Sequence, residues 1–177
     1  LTRWQSWLDV ESALALVQSE IDIIPSWAAT VISKKSKISL INQTELKKII
    51  KDTGTGVFSL TKSLSNICGE AGKFVHWGAT TQNIVDTGLL IVLKKYHSEM
   101  MIVISEILKK LSFISKTHSK TIMIGRTLSR HALPITYGFK VAIWIENFSE
   151  LADQIIETEK RLFKLRFGGA VGCLLYT

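Results

Sequence analysis

The sequence predicts an all-α protein in which a small N-terminal helical domain is followed by the long helices of a helical bundle. Three observations favour this fold class. Apolar residues recur at intervals of three and four along most of the chain, as on one face of an α-helix. Of the 177 residues, 46% are hydrophobic, which is enough to form a core and too many for a disordered chain. Only 2 residues are Pro, so few positions force a helix to end.

Four helices are predicted in the N-terminal part, at residues 1–24, 25–33, 42–51 and 57–68. Pro25 ends the first helix and can begin the second, because its φ angle suits the first helical turn. Asn42 and Glu45 resemble a capping box for the third helix. A turn at residues 53–56, with two Gly, separates the third helix from the fourth. The loop at residues 69–78 is the expected boundary between domain 1–78 and domain 79–177.

Two long helices are predicted after this loop. The first runs from Thr80 to about His118 and is apolar on every side at residues 89–93 and 100–104, which a solvent-exposed helix does not tolerate. An extended connection at residues 122–133 follows. The second long helix runs from Pro134 to about Leu165 and carries a heptad-like apolar seam.

The length of the first long helix predicts an oligomer. Forty helical residues span about 60 Å at 1.5 Å per residue. A compact domain of this size has a radius of gyration of about 16 Å, hence a diameter near 40 Å. A helix that is longer than its own domain and apolar all round must be covered by other chains, so we expect an obligate homo-oligomer.

Composition excludes several classes of function. The formal net charge is +7, but Lys and Arg are spread along the chain without a nucleic-acid recognition motif, so no nucleic-acid partner is expected. The most apolar stretch, residues 88–108, contains Lys94, Lys95 and Glu99, so no membrane span is expected. Cys68 and Cys173 lie in separate segments without the spacing of a metal site, and two such cysteines are typical of a protein in a reducing compartment. We therefore expect a cytoplasmic protein.

Two polar segments carry the candidate chemistry. Each is expected to lie at the start of a long helix, where free N–H groups and the helix dipole favour an anion. The first segment contains His76, Thr80, Thr81 and Gln82, and the second contains Arg126, Thr127 and His131. These groups predict a carboxylate site. No metal-ligand cluster and no phosphate-binding Gly-rich loop is present in the sequence, so neither metal nor cofactor is expected.

The same segments resemble the fumarase/aspartase superfamily. Residues 76–87, 125–138 and 165–172, together with the first-helix pattern at residues 8–15, follow the order found in that superfamily. The closest branch is bacterial 3-carboxy-cis,cis-muconate cycloisomerase, and adenylosuccinate lyase is next. The resemblance implies an all-helical homotetramer whose active sites combine three segments from three chains and bind a small polycarboxylate.

The resemblance also implies roles for individual residues. His76, Thr80, Thr81 and Gln82 would contact substrate carboxylates from the first region, and Arg126 and Thr127 from the second. Leu128 occupies the position of the histidine that is the acid or base of the lyases, and the cycloisomerase branch also lacks this histidine. His131 is then the candidate for proton transfer, while Asn83 replaces an Asp of the superfamily.

Three hypotheses about function remain open. The chain could belong to a cycloisomerase that forms a lactone, or to a lyase of the adenylosuccinate type that releases fumarate. The superfamily's third region, a mobile loop with a catalytic serine, is absent from these 177 residues. We therefore expect a fragment that is inactive alone. The third hypothesis is a catalytically dead helical assembly module.

Overall fold

The computed structural model describes residues 2–172, and this part of the chain contains seven α-helices and one β-hairpin. In chain order the elements are α1 (Thr2–Glu20), α2 (Ser26–Lys35), α3 (Gln43–Thr53), α4 (Gly56–Cys68), α5 (Thr81–Thr117), β1 (Ile122–Thr127), β2 (Arg130–Thr136), α6 (Tyr137–Leu162) and α7 (Gly169–Gly172). Short 3-10 helices lie at Ile38–Leu40 and Gly69–Phe74. The predicted fold class is confirmed, with the hairpin as an addition.

The chain divides into two compact units. The N-terminal unit comprises the residues up to Leu93 and those from Lys164 onward, and the long-helix unit is Lys94–Phe163. Helix α5 contributes residues to both units. The sequence-based domain boundary at residue 78 remains a prediction.

Aliphatic side chains from α1, α2, α4 and the beginning of α5 form the core of the N-terminal unit. Its largest fully buried apolar side chains are Leu8, Ile32, Leu60, Leu64 and Ile84. Each contributes about 1.5–3 kcal/mol through burial. Gly88 lets α5 approach α1, because a Cβ at this position would lie 2.6 Å from Trp7 Cδ1.

The ends of the short helices follow the local sequence. Asn42 caps α3, and its Oδ1 accepts from the amides of Thr44 at 3.0 Å and Glu45 at 3.2 Å, as predicted. Gly54 ends the same helix with a φ of 69°, which glycine adopts without strain. Cys68, the last residue of α4, is buried, while Cys173 lies outside the described residues.

Helix α5 is one continuous helix of 37 residues, and its bounds lie within a single residue of the predicted ones at each end. At 1.5 Å per residue it is about 56 Å long. In residues 2–172 there is no helix with the length and apolar composition needed to cross a membrane.

The extended connection predicted after α5 is a β-hairpin, and the second long helix follows it, but the predicted start of that helix at Pro134 was wrong. Pro134 lies in β2 opposite Ile124, and α6 begins at Tyr137. Proline suits the first turn of a helix, but an edge strand accepts it equally well. Thr136 caps α6 instead, because its hydroxyl accepts from the amide of Phe139 at 3.1 Å.

Hydrogen bonds to the end of α5 fix the base of the hairpin. The amides of Tyr137 and Gly138 donate to the carbonyls of Thr121 at 2.8 Å and His118 at 2.9 Å. The Ser115 hydroxyl donates to the carbonyl of Gly138 at 2.9 Å. A side chain at Gly138 would meet the backbone of α5, so this close approach requires glycine.

Part of the apolar seam predicted on α6 is exposed in the long-helix unit. Val141 is fully buried, whereas Trp144 is 41% exposed and Leu151 is 44% exposed. On α5, Ile102 is 61% exposed and Val103 is 53% exposed. A helix pair with apolar side chains on uncovered faces has surface available for another chain.

Candidate functional site

The loop before α5 reverses the chain at two residues in the left-handed region. His76 has a φ of 62° and Gly78 has a φ of 69°. Glycine adopts this conformation freely, whereas a residue with a side chain loses about 1–2 kcal/mol. The conformation of His76 therefore needs contacts that hold it in place.

Glu11 of α1 provides those contacts. Its Oε1 lies 2.6 Å from Nδ1 of His76, and its Oε2 accepts from the backbone amide of His76 at 3.1 Å. The Glu11 side chain is 1% exposed, and a carboxylate so deeply buried requires partners of this kind. An ionised carboxylate can only accept hydrogen bonds, so Nδ1 is the ring nitrogen that carries the proton. The His76 side chain is 23% exposed, and Nε2 is the ring nitrogen that Glu11 does not engage.

Gln18, two turns further along α1, holds the next residue of the loop. Its Nε2 donates to the carbonyl of Trp77 at 2.7 Å. Two side chains of α1 thus fix consecutive residues, His76 and Trp77, in front of the first turn of α5.

The first turn of α5 is closed by Asn83. The amide of Thr80 donates to Oδ1 of Asn83 at 3.0 Å, and the amide of Asn83 donates to the carbonyl of Thr80 at 3.0 Å. Nδ2 of Asn83 donates to the carbonyl of Arg166 at 3.3 Å. An aspartate could accept the first bond but could not donate the last, so the amide gives this residue a bond that a carboxylate lacks.

Thr81 and Gln82 lie on the exposed side of the same turn, where the first amides of the helix have no intrahelical acceptor. The amide nitrogen of Gln82 donates to Oδ1 of Asp86 at 2.6 Å. The second N–H of the same NH₂ group remains available to donate to a carboxylate. Thr80, Thr81 and Gln82 therefore lie at the N-terminus of α5, and His76 lies in the loop before it, while their role in binding a carboxylate remains a prediction.

Arg126 and His131 are opposite each other in the hairpin, and Thr127 is opposite Arg130. Neighbouring residues of a strand point to opposite faces. Arg126 and His131 therefore share one face, while Thr127 and Arg130 share the other. All four side chains are exposed.

The expectation that this second segment lies at a helix start was wrong. Its residues belong to β1 and β2, and α6 begins only after them, at Tyr137. Any anion at this position would be held by the Arg126 guanidinium and hydrogen bonds, without a helix dipole.

The turn of the hairpin consists of Leu128 and Ser129, which have φ angles of 44° and 63°. Two consecutive positive φ values are the pattern of a type I′ turn. Leu128 is 94% exposed at the tip, and its side chain cannot transfer a proton. Of the residues named in this hairpin, His131 is the candidate for that step.

Gly125 determines how the two strands meet. The register shifts between Ile124 and Arg126, because Ile124 pairs with Pro134 and Arg126 pairs with His131. A Cβ on Gly125 would lie 2.6 Å from the carbonyl oxygen of Leu133. The irregularity, which requires glycine, sets the position of Arg126 relative to the base of the hairpin.

An apolar cavity of about 490 Å³ lies elsewhere in the N-terminal unit, and Val17, Ile91 and Phe167 form part of its wall. Its polar lining consists of Gln18 and Thr87. Such a lining does not suit an anion, so the cavity is a poor candidate for the carboxylate site. Residues 2–172 contain no group of three or more His, Cys, Asp or Glu side chains able to hold a metal ion.

Sequence reasoning missed Glu11 and Gln18. Both stand on the apolar stripe of α1 that also carries Trp4, Trp7 and Leu8, at the spacing of one helix face. A carboxylate and an amide on a buried stripe need buried partners, and this signal could have identified both residues.

Comparisons with known proteins find similarity to several enzymes. Residues 8–176 match a family described as Lyase. The chain is 34% identical to adenylosuccinate lyase of Pyrococcus abyssi over 168 residues, which cover 95% of the chain and 37% of that protein. It is also 34% identical to N-acetyl-S-(2-succino)cysteine lyase of Enterococcus italicus, over 93% of the chain and 36% of that protein.

A solved structure agrees in fold. The 3-carboxy-cis,cis-muconate lactonizing enzyme from Pseudomonas putida has a TM-score of 0.92 and 31% identity, over 97% of this chain and 40% of that one. The chain thus spans well under half of the length of the relatives it matches.

Proposed function

This chain belongs to the lyase family of the fumarase/aspartase superfamily, and we propose that it binds a small polycarboxylate as part of an enzyme resembling 3-carboxy-cis,cis-muconate cycloisomerase. The observation that carries the proposal is the pairing of Arg126 with His131 on one face of an exposed hairpin. A guanidinium can bind a carboxylate in bidentate fashion, and an imidazole beside it can transfer a proton to a neighbouring carbon.

In the proposed reaction a carboxylate of the substrate adds across a conjugated double bond of the same molecule. A C–O bond forms as the C=C π bond is lost, and the adjacent carbon takes up a proton, so the product is a lactone. His131 delivers this proton. The other carboxylates are bound by Arg126 and Thr127 and, at the start of α5, by the residues His76, Thr80, Thr81 and Gln82. Fixed donors of this kind lower the energy of a carbanion-like state whose charge is spread onto a carboxylate.

A second candidate is the β-elimination of a lyase, in which a proton beside a carboxylate is removed and fumarate departs. The names of the two curated relatives favour it, because both refer to succinyl compounds. Leu128 counts against it, since the lyases of the superfamily carry their acid–base histidine at this position. We therefore place the cycloisomerase first.

A third candidate is a helical assembly module without activity. The chain spans about 37% of its relatives, and the third region of the superfamily is not among its 177 residues. We propose that groups on these 177 residues bind the ligand and do not serve assembly alone.

The exposed apolar faces of α5 and α6 support a homo-oligomer as the assembled state. Ile102, Val103 and Phe113 on α5 are all more than half exposed, and covering each would contribute about 1.5–3 kcal/mol. Sedimentation velocity at micromolar concentration should show an oligomer, and Ile102→Lys should shift it toward the monomer. A well-folded wild-type monomer would contradict this proposal.

We further propose that the protein resides in the cytoplasm.

The function is tested with two proteins, the 177-residue chain and a longer one that also carries the third region. Ligand binding to the 177-residue chain is measured by calorimetry with 3-carboxy-cis,cis-muconate and with adenylosuccinate. Turnover is measured with a protein that also carries the third region, through loss of the diene absorbance or release of fumarate. Arg126→Ala should weaken binding of the muconate at least about tenfold, because a hydrogen bond to a charged group contributes about 1.5–3 kcal/mol. Arg130→Ala, on the other face of the hairpin, is the charge-matched control.

Preference for adenylosuccinate and release of fumarate would replace the cycloisomerase with the lyase. Binding of neither compound, or an equal loss in Arg126→Ala and Arg130→Ala, would refute the proposed site.

A further inference from the structure

We propose that Glu11 is a positioning residue that determines which ring nitrogen of His76 meets the substrate. The inference rests on the proposed function, which assigns His76 to substrate binding. Glu11 itself is buried and does not reach the ligand. It acts on the ligand site through the imidazole.

The two oxygens of Glu11 have different tasks. Oε2 accepts from the backbone amide of His76 at 3.1 Å, and this amide can only donate. Oε1 lies 2.6 Å from Nδ1 of the same residue, within the range of a strong charge-assisted hydrogen bond. The bond from the backbone amide to Oε2 fixes the orientation of the carboxylate, so Oε1 faces Nδ1. Because Oε1 can only accept, Nδ1 must carry the proton.

The ring cannot turn over without a large penalty. A half-turn about the Cβ–Cγ bond would place a carbon against Oε1 and leave the carboxylate of Glu11, whose side chain is 1% exposed, without its ring partner. Among the described residues, His76 is the one hydrogen-bond partner of the Glu11 carboxylate. An unpaired buried charge costs several kcal/mol, far more than thermal energy.

One atom of His76 is therefore presented to the ligand. Nδ1 stays engaged by Glu11 in both the neutral and the cationic ring, so Nε2 is the ring nitrogen that remains for a ligand in either state. Nε2 accepts a hydrogen bond in the first state and donates one in the second. The position of the imidazole is thus set from α1, through Glu11.

Glu11→Gln tests whether Glu11 holds the proton on Nδ1 of His76, because glutamine has nearly the same shape as glutamate. The glutamine oxygen must face the backbone amide of His76, since that amide can only donate. The NH₂ group then faces Nδ1 and donates to it, so the proton must move to Nε2. Ring ¹⁵N chemical shifts of ¹⁵N-histidine-labelled 177-residue chain report which nitrogen carries the proton, at a pH where the ring is neutral. The chain has 4 His, and the signals lost in His76→Gln identify those of His76.

Two further variants separate positioning from a general effect on the loop. Glu11→Asp keeps a carboxylate and should retain the proton on Nδ1. Gln18→Met removes the hydrogen bond to the Trp77 carbonyl, which ties the same loop to α1, but leaves Glu11 and the imidazole untouched. It should retain the wild-type ring shifts even if it lowers stability.

Binding of 3-carboxy-cis,cis-muconate to the same samples provides the functional readout. Glu11→Gln should raise the Kd at least about tenfold, as expected for a misdirected hydrogen bond to a charged group. Gln18→Met should change the Kd less than about threefold, and Glu11→Asp should lie between the two.

The outcomes are distinct. A wild-type proton on Nε2, or ring shifts unchanged in Glu11→Gln, would overturn the inference and leave the proposed function standing. A moved proton with an unchanged Kd would show that His76 does not contact the ligand, and a Gln18→Met variant with the same ring shifts as Glu11→Gln would reduce Glu11 to a structural residue. If the wild-type chain bound no polycarboxylate, the proposed function would fail and the inference with it.

Discussion

Arg126 on β1 and His131 on β2 are directly opposite partners in the hairpin, so a guanidinium and an imidazole share a face. Opposite residues of an antiparallel pair have Cβ atoms about 4.5–5.5 Å apart. A ligand carboxylate bound to the guanidinium would therefore hold its adjacent carbon within reach of the imidazole. The residues are 5 positions apart in the sequence, but the turn between them determines that they face each other.

His131→Ala should lower kcat of the complete enzyme by about 10²- to 10⁴-fold, the usual contribution of a positioned acid or base. KM should change much less, because Arg126 still binds the carboxylate. His131 is exposed, so the free energy of unfolding should stay within about 0.5 kcal/mol of the wild-type value. Steady-state kinetics and urea denaturation check both expectations.

His118→Gln provides the matched control, because His118 lies outside the hairpin and contacts Thr121 and the ring of Tyr137. Normal turnover of 3-carboxy-cis,cis-muconate by His131→Ala would remove His131 from the proton step.

Gly125→Ala should destabilise the protein by about 1–3 kcal/mol, the usual cost of an overpacked site. The new methyl group would lie 2.6 Å from a backbone oxygen, that of Leu133, which cannot move aside as a side chain could. Urea denaturation measures the change. Ala132→Gly on the partner strand is the control, because it changes an exposed residue of the hairpin without creating a clash. It shows whether any change in the hairpin lowers the stability as much as Gly125→Ala. Equal stability of Gly125→Ala and the wild type would show that the hairpin adjusts without this glycine.

Asn83→Asp should cost about 1 kcal/mol in the free energy of unfolding, because the new carboxylate can accept from Thr80 but cannot donate to the carbonyl of Arg166. Asn83→Ala loses both bonds and should cost more. The exposed neighbour Gln82→Ala should stay within about 0.5 kcal/mol. Chemical denaturation decides the order of the three variants, and an Asn83→Asp protein as stable as the wild type would show that the bond to Arg166 contributes nothing.

Cys68 should make stability fall at alkaline pH. Burial raises the pKa of its thiol above the ordinary value of 9.0, and the nearby Lys35 opposes this increase only in part. The folded protein therefore keeps the proton at a pH where the unfolded chain releases it. The contribution of Cys68 to the free energy of unfolding is fully present below the pKa that the thiol has in the unfolded chain, and it decreases as the pH rises through that value.

The free energy of unfolding, measured from about pH 7 to pH 10, should therefore decrease more steeply in the wild type than in Cys68→Ala. The slopes are compared rather than the absolute values, because alanine also leaves a small void. Parallel slopes would show that the Cys68 thiol ionises equally in the folded and unfolded chain.

The helices were predictable because their signals are local. Apolar spacing determined α5 to within a single residue at each end, and the Asn42 cap marked the beginning of α3. The resemblance to the fumarase/aspartase superfamily is likewise confirmed by the family match over residues 8–176.

The hairpin was missed because its turn lacks the usual residues. Leu128 and Ser129 adopt positive φ values that Asn and Gly normally provide in such turns. Without that signal, the proline that follows was read as the beginning of a helix. The pairing of Arg126 with His131 depends on this turn and could not be predicted either.

The contact between Glu11 and His76 was missed for a different reason. It joins residues 65 positions apart, and nothing local to either residue predicts the distance between them. Only the anomaly of a carboxylate on an apolar helix face could have indicated that Glu11 has a buried partner.

The double attachment of the loop to α1, through Glu11 to His76 and Gln18 to Trp77, has a consequence for the kinetics of ligand association. The backbone of His76 and Trp77 becomes ordered when the protein folds, so ligand binding at the proposed site requires no further ordering of this loop. Association at this site should then proceed in a single kinetic phase, without the slow second step that a closing flap would add.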